Sequence, residues 1–197
     1  MSTPTQIFFC AEFKDPKWSL PLDTPPEIRR GILGWQVEPA PVEGGVPENV
    51  ARIIAAGLVR HVRVTFAEGI PRPFGSFSWS ILHTADADQA RQLFDAAYFS
   101  WATRSQLAFL SSLSTPPPEI SKAHYRHALD REQFRTLATC GVTGILAPGV
   151  DGDVAGLYAW NDELWFKLTG SLKSTCEASG ATWIDVQEGA FAEMLGR

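Results

Sequence analysis

Apolar and polar positions alternate most cleanly over His61–Phe66 (HVRVTF) and again over Phe74–Leu82. In the second run Phe77, Trp79 and Ile81 fall on one side and Ser76, Ser78 and Ser80 on the other. A period of two is that of a half-buried strand, and the turn Gly69–Pro73 joins the two runs into a predicted hairpin. Gln6–Phe13 (QIFFCAEF) reads as a buried opening strand, and a further strand is predicted near Gly31–Val37. The latter lies in a proline-punctuated stretch, residues 16–47. Trp18, Ile28, Ile32, Leu33 and Trp35 there all need burial, so this stretch reads as ordered loops.

A period near 3.6 marks the helices. Over Pro47–Arg60, Val50, Ile53, Ile54, Gly57 and Leu58 share a face, and Pro47 and Glu48 suit a first turn. A second helix is predicted from Asp86, capped by Thr84 or Asp86. It carries Ala90, Phe94, Ala97, Trp101 and Ala108 at spacings of three or four and extends to Leu113, where Ser114–Pro118 stops it. A third helical region, Glu119–Cys140, breaks near Asp130, and Gly141, Gly144 and Gly149 then loosen the chain. Val154–Trp160 and Glu163–Leu168 flank the turn-forming pair Asn161-Asp162 and read as a C-terminal hairpin. A short helix (Ser171–Ser179), a strand (Thr182–Val186) and a last helix (Glu188–Leu195) complete the reading. Without steady βαβ alternation, the expectation is a single α+β domain over residues 1–197, with a mixed or antiparallel sheet and several packed helices.

At 197 residues, 45% of them hydrophobic, the chain is long enough to bury a sizeable core. Seven Trp and twelve Phe serve that core before anything else. Cys10, Cys140 and Cys176 are odd in number and widely spaced, which argues against a disulfide framework and for a reducing cytoplasm. No basic, apolar leader opens the sequence, and no stretch approaches the roughly 20 apolar residues of a membrane span. A cytoplasmic protein without membrane association is expected. The net charge of −5 is concentrated at one end. From Pro148 onward Asp151, Asp153, Asp162, Glu163, Glu177, Asp185, Glu188 and Glu193 face only Lys167, Lys173 and Arg197, while fourteen acids balance fourteen bases before it. Such asymmetry bears on partners more than on fold.

Catalytic signatures are sparse. His124, His127 and Asp130 form a polar stripe on a predicted helix, but the spacing is not His-Glu-x-x-His and Arg126 and Arg131 flank it. Cys140 is the most accessible thiol and needs a base such as His124 or His127 beside it. There is no Gly-x-Ser-x-Gly, and Gly141, Gly144 and Gly149 lack the spacing of a phosphate-binding loop. The bases are too dispersed for nucleic acid. Asp151–Asp162 (DGDVAGLYAWND) places acids at positions 1, 3 and 12 of a calcium loop, but Ala155 and Ala159 occupy ligand positions 5 and 9. No metal or cofactor is therefore expected. A small enzyme or ligand-binding domain using His124, His127 and Cys140 is the alternative to a binding protein.

The predicted hairpin carries large apolar groups on both faces, with carboxylates at its ends. Asp151, Asp153, Tyr158, Trp160, Asp162 and Glu163 are the candidate partner-binding residues, aromatic anchors within a charged rim. The GILGW stretch (Gly31–Trp35), the GLYAWNDELWFKL segment (Gly156–Leu168) and the acidic last fifty residues give the chain a general character similar to immunity proteins of bacterial polymorphic-toxin systems. That resemblance implies a stoichiometric inhibitor of a cognate protein toxin, often a nuclease. A nuclease presents a basic active-site cleft, which clustered carboxylates would find quickly and neutralise.

Overall fold

The computed structural model describes residues 5–12, 26–37, 46–71, 77–94, 107–121, 131–148 and 154–194. In chain order these form strands β1 (Gln6–Ala11) and β2 (Arg29–Gln36), helix α1 (Glu48–Val59), β3 (Val62–Pro71), β4 (Phe77–Thr84) and α2 (Ala87–Phe94). There follow β5 (Leu107–Ser112), α3 (Arg131–Thr139), β6 (Val142–Pro148), β7 (Val154–Ala159), α4 (Asp162–Ala178), β8 (Thr182–Asp185) and α5 (Glu188–Met194). All eight strands join one sheet in the order β4-β3-β5-β6-β7-β2-β1-β8. Every neighbouring pair is antiparallel except β1 and β8, which run parallel with Gln6 opposite Thr182. The protein is a single-domain α+β structure with a mixed sheet, as its pattern predicts.

Apolar side chains leave both faces of the sheet. On one face Ile7, Phe9, Leu33, Trp35, Val64 and Leu157 meet α1, α2 and α4 in one cluster. On the other, Phe8, Ile32, Phe109, Ile145 and Tyr158 meet Phe134 and Leu137 of α3 and Phe191 of α5. A strand covered on both sides reads as a continuous apolar run, and β7 (VAGLYA) is buried at every position.

Three expectations fail, each for a physical reason. The Asp86–Leu113 helix is described only as α2, and Leu107–Ser112 is instead the strand β5 between β3 and β6. Gly144 does not loosen the chain: it lies within Val142–Pro148, the interior strand β6, paired on both sides, while Gly149 lies outside the described residues. Finally, no hairpin follows β7. Its antiparallel partners are β6 and β2, and Glu163–Leu168 forms the first turns of α4. Asn161 is the N-cap of that helix, its side chain accepting the Leu164 N–H at 2.8 Å. The short helix predicted over Ser171–Ser179 is the second half of the same element. It closes at Gly180, whose φ of 80° lets Ala181 N–H reach the Cys176 carbonyl and Gly180 N–H reach that of Glu177.

The edge strand β8 is tied down by charge. Asp185 accepts from Lys173 Nζ and from Trp183 Nε1, both at 2.8 Å. Partial burial works to raise the Asp185 pKa, but these two hydrogen bonds and the lysine charge outweigh it, so the carboxyl sits below its ordinary value. A group with a depressed native pKa stabilises the fold above its unfolded pKa, and loses that contribution as pH falls through the native value. The stability difference between wild type and Asp185→Asn is therefore expected to be constant above about pH 5 and to close in more acid solution, near and below the ordinary carboxylate pKa of about 3.9. Urea titrations of both proteins between pH 7 and pH 2 check this, and a gap that widens in acid would contradict it.

Candidate functional site

The start of α4 gathers the exposed acids. Residues four apart on a helix are surface neighbours, so Asp162, Glu163, Phe166 and Lys167 share one patch on the first two turns. The opposite stripe, Trp165, Leu168, Leu172 and Cys176, is buried against the sheet and α1. Phe166 is 62% exposed, the most exposed large apolar side chain among the described residues. Acids in a first turn are favoured by the helix dipole, so Asp162 and Glu163 suit their positions without any partner.

Arg29, at the start of β2, joins this patch to the end of β1. Its Nη1 lies 2.8 Å from Glu12 Oε1 and its Nε 3.0 Å from Asp162 Oδ1. The guanidinium carbon stands 6.0 Å from the centre of the Phe166 ring, at the outer range of a cation–π contact. Lys167 Nζ holds Glu163 Oε1 at 2.6 Å, and that hydrogen bond keeps the Glu163 carboxyl below its ordinary pKa. Glu12 itself has φ of 58°, a left-handed conformation uncommon for a residue with a side chain, while its N–H donates to the Arg30 carbonyl at 2.8 Å. On the other flank of α4 a cleft of about 310 Å³ separates Glu163 and Lys167 from Arg60 and His61 at the end of α1.

The six sequence-selected residues separate. Asp162 and Glu163 are exposed and adjacent. Trp160 is half-buried, its ring 5.2 Å from that of Phe134 and its Nε1 donating to the Phe134 carbonyl at 3.2 Å. Tyr158 is fully buried on the sheet face beneath α3, 5.7 Å from the Phe134 ring, and cannot meet a partner. Burial pushes its phenol far above the ordinary value, and its hydroxyl has no hydrogen-bond partner among the described residues. Tyr158→Phe, which deletes that unsatisfied group and keeps the ring, is expected to be neutral or to stabilise by up to about 1 kcal/mol. Thermal denaturation checks it, and a marked loss of stability would contradict an orphaned hydroxyl. Asp151 and Asp153 lie outside the described residues.

His124, His127 and Asp130 also lie outside the described residues. Cys140 follows α3 beside a shallow cleft of about 430 Å³ lined, among the described residues, by Thr115, Pro116, Pro117, Glu119, Thr139 and Gly141. Cys10 and Cys176 are buried thiols pushed up to about 11, by burial first and then by Glu188 and Glu177 respectively. Neither is poised as a nucleophile. Among the described residues no three His, Cys, Asp or Glu side chains are grouped to hold a metal ion, and no helix is long and apolar enough to cross a membrane.

Phe166 is the residue that sequence reasoning missed. Read with a period of two it joins Leu164 and Leu168 on one face, opposite Trp165 and Lys167. With a period of 3.6 it leaves the Trp165–Leu168–Leu172–Cys176 stripe and stands with the acids. No protein-family model, curated protein or solved structure matches the chain.

Proposed function

We propose that this protein is a non-catalytic binding protein of the immunity type, which holds and neutralises a cognate protein toxin through the surface at the start of α4. The observation that carries the reading is an exposed aromatic, Phe166, set among the carboxylates Asp162, Glu163 and Glu12. An aromatic anchor inside a charged rim is the composition of an interface centre. Acids at that rim accelerate association with a basic partner and make it sensitive to salt. A toxin with a basic, nucleic-acid-handling cleft is the partner such chemistry suits.

The test uses charge removal rather than reversal, because lysines in the first turn of α4 would oppose its dipole and confound the result. Pull-down from the native host with mass spectrometry identifies the partner, and co-expression shows whether its toxicity is relieved. Asp162→Asn with Glu163→Gln is expected to weaken the captured complex at least about tenfold at low salt and to flatten its salt dependence. A double variant that matches the wild-type affinity at both low and high salt would remove α4 from the interface, and a partner without toxicity would remove the immunity reading.

A further inference from the structure

We infer that a cleft at the C-terminal end of α4 takes a free carboxylate together with the amide N–H and small apolar side chain beside it, the chemistry of the last residue of a peptide. The cleft holds about 590 Å³ between α1 and the last turn of α4, a size that suits a small ligand. Ser179 in its wall lies roughly 20 Å from Phe166 along the helix axis. The site is therefore separate from the surface proposed above for the toxin and does not depend on it.

Among the described residues the wall holds one charged side chain, Arg52, and no carboxylate. Arg52 Nη2 lies 2.8 Å from Glu48 Oε1, and the same oxygen takes Arg91 Nη1 at 3.5 Å. One acid is thus shared by two guanidiniums, and a positive charge is left over. The remaining N–H groups of Arg52 form a planar fork that matches a carboxylate. Ser179 Oγ donates to the Cys176 carbonyl at 2.7 Å, which leaves its oxygen to accept an N–H from a ligand. Thr5 Oγ1 accepts from Asn49 Nδ2 and keeps a proton to donate. Ile53, Ala56, Ala178 and Ala181 supply an apolar wall for a short side chain.

A different observation points to a partner in the same cleft. Thr175 lines it, is 8% exposed, and its Oγ1 has no hydrogen-bond partner among the described residues. A buried hydroxyl left in that condition costs stability. Threonine in a helix has two χ1 wells, so this hydroxyl can turn to a polar group that enters the cleft.

The experiment is an NMR titration of the isotopically labelled full chain with the peptide acetyl-Gly-Ala-Leu as free acid, and with its C-terminal amide as control. Saturable shifts are expected at the amides of residues 49–56 and 175–181 with the free acid only. Arg52→Gln is expected to weaken binding at least about fivefold, with a dispersed spectrum that shows the fold retained. Thr175→Val, which keeps the shape and deletes the hydroxyl, is expected to weaken binding about threefold while the melting temperature stays level or rises. A hydroxyl with a purely structural role would give the reverse, a lower melting temperature with binding unchanged, and that result would overturn its place in the site. Equal binding of the amide peptide, indifference to Arg52→Gln, or no saturable shift at these residues would overturn the site itself. N-acetyl-leucine titrated alone separates the sources of the carboxylate. Affinity equal to that of the tripeptide supports a free acylated amino acid as the ligand, and tighter binding of the tripeptide supports the end of a protein chain. The Asp162→Asn, Glu163→Gln double variant is expected to bind the peptide as wild type does, so failure of the toxin reading and failure of this one are read from different variants.

Discussion

Trp165→Ala is expected to lower the free energy of unfolding by about 3–5 kcal/mol, while Phe166→Ala, one residue on, changes it by less than about 1 kcal/mol. Trp165 is 4% exposed and lies in the cluster between α4 and the sheet, its ring 5.7 Å from that of Phe9. It is seated over Gly31, where a Cβ would come within 2.9 Å of the indole and 2.8 Å of the Cys10 carbonyl. Truncation removes a large buried ring and leaves a cavity that the flat floor at Gly31 cannot fill. Phe166 points the other way, and alanine is the better helix former at an exposed position. The pair also separates helix from hairpin. In an alternating strand Phe166 would lie on one apolar face with Leu164 and Leu168, and its loss would be costly as well. Urea denaturation of both variants decides the matter, and comparable losses would contradict the helical register of α4.

Gly144→Val is the second large effect, expected to destabilise by about 3 kcal/mol, the upper end of typical overpacking. A Cβ at position 144 would stand 2.5 Å from the Tyr158 carbonyl oxygen. That oxygen is backbone in an interior strand, so no rotamer change relieves the contact and β6 must part from β7. Gly57→Ala supplies the contrast: its new methyl meets Leu172 Cδ2 at 2.9 Å, the end of a side chain that can partly yield, and the Leu172 Cα at 3.1 Å, which a shift of a few tenths of an ångström between α1 and α4 relieves. Chemical denaturation should rank Gly144→Val well below Gly57→Ala, and an undisturbed Gly144→Val would show that β6 and β7 can separate cheaply.

Much of the frame was legible in the pattern of residues. The period-two runs around Val62–Phe66 and Phe77–Leu82 are the paired strands β3 and β4, and the Val50–Leu58 stripe is α1. Strands buried on both faces are where the pattern fails. LAFLSS has no alternation because Leu107 and Phe109 serve one apolar cluster and Ala108 and Leu110 the other, so a helix fits it as well. Gly144 looked like slack, yet it is required by the close approach of β7. Asn161-Asp162 suits a turn and a helix start equally, and Leu164, Trp165, Phe166 and Leu168 are apolar under either period. The consequence for the site is direct. Asp162 and Glu163 were visible as acids, Tyr158 proved to be core, and Phe166 could be found only once the period was known.

The parallel pairing of β1 with β8 sets a condition on how this chain is made. Gln6 meets Thr182 and Phe9 meets Asp185, and Trp183 packs its ring 5.4 Å from that of Phe9. β2, the other neighbour of β1, is itself closed on its far side by β7. During synthesis β1 therefore waits, with an apolar face and an open edge, until Thr182–Asp185 has left the ribosome. Unpaired edges of that kind invite misassociation. Sequence-distant pairing of this sort also slows folding, so nascent chains stalled before Thr182 should be the species most dependent on chaperones.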